Sequence, residues 1–149
     1  AGPDWIDKKS GTSFMAFLKS SLDEKIKHKV HFLGSVSNFE IPKLIEESEI
    51  CCYPSHMEAM PLAWIEVMSM RKPFITSKMG PGQEMIKDGI SGLLCDPLSP
   101  KDIAEKINFA FRNINEMIEM SRRARTFAKA NFILDTIGKK NLELYNSIL

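Results

Sequence analysis

Four short apolar runs, separated by stretches of helical periodicity, constrain this chain more than any other feature. They are Val30 to Leu33, Glu49 to Tyr53, Phe74 to Ser77 and Leu93 to Cys95. Gly34 stops the first and Pro54 the second. Between them lie helix patterns from about Glu40 to Ser48, from Leu62 to Met70 and from Gln83 to about Lys87. Strands alternating with helices predict a parallel sheet with helices on both faces, a Rossmann-like α/β class.

The ends of the chain read differently. Ala1 to Gly11 lacks apolar periodicity and reads as loop. Thr12 or Ser13 caps a predicted first helix, whose Phe14, Phe17, Leu18, Leu22 and Ile26 recur at helical steps and predict a buried face. The last third is helical. Ser99-Pro100-Lys101-Asp102 supplies an N-cap, a proline at the first helical position and an acid at the third. Ile103, Ile107, Ala110 and Phe111 mark its buried face. Met117, Met120, Ala124, Phe127 and Ala128 mark that of a second helix, and Asp135 opens a third.

At 149 residues the chain reads as one domain, 1–149. Twenty basic and 19 acidic residues leave a net charge of +1, which gives no case for a nucleic-acid partner. The cysteines, Cys51, Cys52 and Cys95, have no metal-site spacing and read as buried free thiols in a reducing cytosol. No run reaches the length of a membrane span. The G-x-G-x-x-G fingerprint and the G-x-x-x-x-G-K-[ST] loop are both absent.

The chemistry concentrates at one strand-to-helix junction. Glu58 and Glu66 flank seven residues after the run Glu49 to Tyr53. In open α/β sheets ligands bind outside the carboxyl ends of strands. The helix from Leu62 offers free backbone N–H groups and a dipole that favour an anion such as a diphosphate. Ala59 is small enough to let a ligand approach the backbone. Glu66, about one turn into the helix, could accept from a pair of sugar hydroxyls, while Glu58 could reach a second group. Spacing alone equally allows two solvated surface glutamates. A second turn, Gly80-Pro81-Gly82-Gln83-Glu84, also opens a helix, and could share the anion or be a plain connection. His56 lies in the loop beside Glu58. Trp64 and Met68 read as core.

Taken together, these segments resemble retaining glycosyltransferases of family 4. Tyr53-Pro-Ser-His-Met-Glu58-Ala-Met-Pro-Leu-Ala-Trp-Ile-Glu66 resembles that family's Glu-x7-Glu motif. Val30-His-Phe-Leu-Gly34-Ser-Val36-Ser, Arg71 to Ser77, and Gly80 to Leu94 with its E-x-x-x-D-G-x-x-G-L pattern are similar to the flanking segments, in the same order. The resemblance implies the C-terminal, donor-binding half of a GT-B glycosyltransferase, passing a hexose from a nucleotide-sugar with its configuration retained. It implies that Glu58 is the catalytic-site carboxylate beside the donor sugar and that Glu66 holds the ribose. Backbone at Ala59, Met60 and Leu62 would meet the phosphates, Gly80 and Gly82 would belong to the same site, and Gly34, Ser35 and Val36 would border the nucleobase. No metal or other cofactor is expected.

The same resemblance implies that the family's basic pair, its first two strands and the whole acceptor-binding domain are missing from these residues. The remaining sheet would then leave a gap, re-pair, or borrow strands from another copy. The fragment is expected to be inactive alone, and its acceptor to be a glycan or lipid-linked glycan. The full enzyme is expected in the cytoplasm or peripherally at the inner membrane face. The competing readings are a non-catalytic nucleotide- or sugar-binding module and a flavodoxin-like signalling domain.

Overall fold

The computed structural model describes residues 2, 4–8 and 11–148. The chain divides into two units, Ala1–Ile41 and Pro42–Leu149.

In the first unit, α1 (Phe14–Ser21) starts where Ser13 caps it, the hydroxyl oxygen accepting from Ala16 N at 2.9 Å. The Ser13 hydroxyl donates in turn to Asp4 (2.6 Å), which also accepts from Met15 N at 2.9 Å. These two bonds hold the Asp4 carboxyl below its ordinary range. The single helix predicted here is in fact two. Leu22 turns extended, and the Asp23 carboxylate takes the Lys25 N–H to cap a new helix, α2 (Glu24–Lys27). A short carboxylate that competes for backbone N–H groups ends one helix and begins another.

Two further expectations for this unit fail. The apolar face of the first helix is not buried: Phe14 is 47% exposed and Phe17 56%. Their rings meet each other and Trp5 instead of a core, with centroids 6.1 and 6.4 Å apart. Val30 to Leu33 forms no strand. A strand is made by its ladder, and among the described residues no partner segment pairs with this one.

The second unit carries the sheet. α3 (Ile41–Glu47), with Pro42 in its first turn, precedes β1 (Cys51–Tyr53). Next come α4 (Leu62–Ser69), β2 (Phe74–Ser77), α5 (Gly82–Met85) and β3 (Leu93–Cys95). The strands lie parallel in the order β1-β2-β3, with Cys52 opposite Ile75 and Thr76 opposite Leu94. All four residues of β2 are buried, as befits a central parallel strand covered on both faces.

Three long helices complete the unit: α6 (Pro100–Arg112), α7 (Ile114–Asn131) and α8 (Leu134–Ile148). The Ser99 cap forms as its sequence predicts, accepting from Asp102 N at 3.2 Å. Asp102 accepts from Asp96 N at 2.6 Å, which ties the end of β3 to the start of α6. Ile75, Leu93 and Cys95 pack with Ala110, Met117 and Met120 into the core, and Cys52, Ile103 and Ile107 lie against it. α4 packs along α7, which buries Ser121, Ala124 and Ala128. Trp64 and Met68 are buried, as expected of core residues.

α4 ends in a Schellman pattern: Lys72 N donates to Val67 O and Arg71 N to Met68 O, at 3.2 and 3.1 Å. Arg71 occupies the left-handed position at φ 56°, where glycine is usual.

Candidate functional site

Parallel strands put their three following loops at one end of the sheet. The loop after β1 carries Glu58 to Pro61, and the loop after β2 carries Lys78 to Pro81. Contact between them depends on glycine. Gly80 sits at φ +62°, and a side-chain carbon placed there would lie 2.8 Å from the Glu58 carbonyl oxygen. Gly82 leaves no more room, because such a carbon would overlap the Ser77 carbonyl. The turn is drawn tight by Met79 N, which donates to Ser77 Oγ at 3.0 Å. Lys78 reaches from this turn to Asp96 after β3, 2.9 Å away, so all three loops are tied together. That pairing holds the Asp96 carboxyl below, and the Lys78 ammonium above, their ordinary ranges.

Glu58 is half-buried in its loop, and Glu66 is exposed in the second turn of α4. Between them, Pro61 occupies the N-cap of α4, and no side chain caps the helix. The first-turn N–H groups therefore keep no resident side-chain acceptor. Met60 is exposed and Leu62, the first helical residue, is 68% exposed, so the backbone here is open to a ligand. Ala59 and Met60 share a cavity wall with Pro81 and Glu84, again joining the first and second loops. His56 is exposed in the same loop.

Gly34, Ser35 and Val36 belong to the first unit. Gly34 turns at φ +65°, and its carbonyl accepts from Gly2 N at 2.7 Å.

The structure adds a residue to which the sequence reading gave no role. Tyr53 ends β1, and its phenol is pushed up by burial, by neighbouring Cys51 and by the Glu66 carboxylate. Tyr53 thus stays a neutral hydroxyl within the field of Glu66. Its place as the last strand residue before the loop is the only sequence signal for this. Among the described residues no group of three or more His, Cys, Asp or Glu side chains is arranged to hold a metal ion. No helix among them is long and apolar enough to cross a membrane.

A parallel three-stranded sheet with flanking helices, its strand-to-helix loops packed against one another, has the fold of the GT-B glycosyltransferases. The chain belongs to the family described as glycosyl transferases group 1, whose model matches residues 8–127. Alpha-D-kanosaminyltransferase of Streptomyces kanamyceticus is 23% identical over 123 residues, a match covering 83% of this chain and 32% of the relative. Sucrose-phosphate synthase of Thermosynechococcus elongatus superimposes with a TM-score of 0.80 at 21% identity, over 96% of this chain and 36% of that one. HepE of Anabaena, solved in complex with UDP-glucose, superimposes with a TM-score of 0.76 at 24% identity, over 90% and 38%. The chain spans about a third of the length of the curated relatives it matches.

Proposed function

We propose that the carboxylate loop and the glycine turn together bind the nucleotide-sugar donor of a retaining, family 4 type glycosyltransferase. The observation that carries this reading is the packing of Gly80 against the Glu58 backbone. It sets the carboxylate loop and the glycine turn side by side at the carboxyl end of the sheet.

Within this reading, the N–H groups at the start of α4 receive the diphosphate, and the backbone at Ala59, Met60 and Leu62 approaches it closely. Glu66 accepts from the ribose hydroxyls, with Tyr53 beside it. Glu58 contacts the donor sugar next to the bond that breaks. Gly80 and Gly82 let the second turn approach the same anion. Gly34, Ser35 and Val36 are assigned to the nucleobase on sequence grounds alone. The departing diphosphate gains negative charge as the glycosidic bond lengthens, and fixed N–H dipoles stabilise such charge without reorganising. The reading needs no metal at this step. The HepE complex with UDP-glucose supports a UDP-sugar as the donor class.

The relatives are about three times as long as this chain, so transfer is proposed for the protein at its full length. Acceptor binding, to a glycan or lipid-linked glycan, is assigned mostly to residues outside these 149, without which the fragment would be inactive. Self-association through the open side of β1 is the corresponding proposal for the isolated chain. The three free thiols accord with a cytoplasmic setting, including the inner membrane face.

The test is a calorimetric titration of the full-length protein with UDP and with GDP. One of them should bind, and Glu66→Ala should weaken it about 10- to 100-fold, the loss of a charged hydrogen-bonding group. Glu58→Gln should retain the nucleotide and lose transfer. If neither nucleotide binds, or if Glu66→Ala changes nothing, the reading is wrong.

A further inference from the structure

A cavity of about 350 Å³ lies beside the donor loop, within the second unit and apart from both glutamates of the motif. Met60 and Pro81 form one wall, and side chains from the end of α7 and from α8 form the other. Its size is at the lower end of the roughly 300–1,000 Å³ of small-ligand sites.

The chemistry of its lining is specific. Glu84 and Lys140 both face it, yet no ion pair joins them, and among the described residues neither side chain has a hydrogen-bonding partner. Asn131 commits its Nδ2 donor to Phe127 O at 2.9 Å, which leaves its amide oxygen free as an acceptor. Phe127 and Phe132 meet edge to face, with centroids 5.8 Å apart, and give the cavity an apolar surface.

A phosphate would meet the Glu84 carboxylate as a like charge, and a purely apolar ligand would leave three polar groups unpaired. An uncharged sugar ring satisfies all of them. Its hydroxyls donate to Glu84 and Asn131, one oxygen accepts from Lys140, and its C–H face lies on the phenylalanines.

We propose that this cavity is a second, nucleotide-independent subsite for a neutral hexose unit, one belonging to the glycan on which transfer takes place. Its role in the reaction rests on the donor-site reading above; its sugar binding does not. The subsite would hold part of the acceptor against the donor loop, with Glu84, Asn131 and Lys140 selecting among hydroxyl patterns.

The experiment is saturation-transfer NMR on the full-length protein with a panel of methyl hexosides, with and without UDP. At least one hexoside should receive saturation at millimolar concentration without UDP. Glu84→Gln and Lys140→Met should each weaken it about fivefold or more, the scale of one hydrogen bond. UDP affinity in Lys140→Met should stay within about twofold of the parent. Both side chains are exposed, and unchanged thermal unfolding would confirm intact folding. Glu66→Ala should leave the hexoside signal unchanged. UDP binding without any hexoside signal would overturn the subsite and leave the donor reading standing. A hexoside signal with binding of neither UDP nor GDP would do the reverse. A signal indifferent to Glu84→Gln and Lys140→Met would overturn the subsite as well.

Discussion

Gly80 and Glu58 share a backbone contact that only a residue without a side chain allows. A Cβ at position 80 would stand 2.8 Å from the Glu58 carbonyl oxygen and would carry a positive φ as well. Gly80→Ala is therefore expected to cost about 1–3 kcal/mol, combining left-handed strain with a displaced loop. Because the contact supports the Glu58 loop, nucleotide binding should weaken together with stability. Urea unfolding and a UDP titration on the same variant check both. A variant as stable as the parent that binds equally well would show that the turn adapts freely.

Arg71 makes the opposite prediction. It completes the Schellman end of α4 from the left-handed region, where a side chain is a burden. Arg71→Gly should raise stability by about 0.5–1 kcal/mol, since the relief of strain exceeds the added freedom of the unfolded chain. The readout is a higher urea midpoint with an unchanged slope.

Thr76 lies at the centre of β2 and is fully buried, and its Oγ1 has no hydrogen-bond partner. Burying an unpaired hydroxyl costs on the order of 1–3 kcal/mol in mutational series. Thr76→Val keeps the branched shape and removes that oxygen, so it should stabilise by about 1 kcal/mol. Thr76→Ser keeps the hydroxyl but loses a methyl, and should destabilise by a similar amount. Thermal unfolding of the two variants should move in opposite directions from the parent.

The Cys52 thiol is pushed up to about 11 from 9.0, by burial first and then by its neighbours Cys95 and Cys51. At pH 8 its thiolate fraction should be about 100-fold below that of an unperturbed thiol, with alkylation by iodoacetamide slowed to match. The rate, followed by mass spectrometry, should rise through an inflection near 11. The sign of the linkage follows from the raised folded value. The neutral thiol's contribution to stability is complete below 9.0 and is lost as pH climbs towards 11. Base unfolding in that window should therefore be gentler in Cys52→Ala.

What the sequence made legible was local chemistry. Ser99, Pro100 and Asp102 mark the start of α6 because capping acts within one turn. Glu49 to Tyr53 and Phe74 to Ser77 contain β1 and β2, because a buried parallel strand needs a short apolar run and little else. Val30 to Leu33 has the same run and makes no strand, since a ladder requires a partner that the run cannot specify. The stripe from Phe14 to Ile26 failed for a similar reason: periodicity marks a face able to be covered, not the surface that covers it. Glu58 and Glu66 were visible as a pair. The approach of Gly80 to Glu58, and the cavity that Met60 shares with Asn131 and Lys140, depend on packing between distant segments, which spacing does not encode.

Proline at the head of α4 sets stability against ligand affinity. A serine or aspartate at position 61 would place its own oxygen on the first-turn amides and would firm the helix by about 1 kcal/mol. That oxygen would also act as a tethered inhibitor, contesting the same N–H groups with any incoming phosphate. With Pro61 the helix forgoes that stabilisation; the Trp64 N–H turns back to the Pro61 carbonyl at 3.1 Å, and the amides of Leu62 and Ala63 stay available to a visitor.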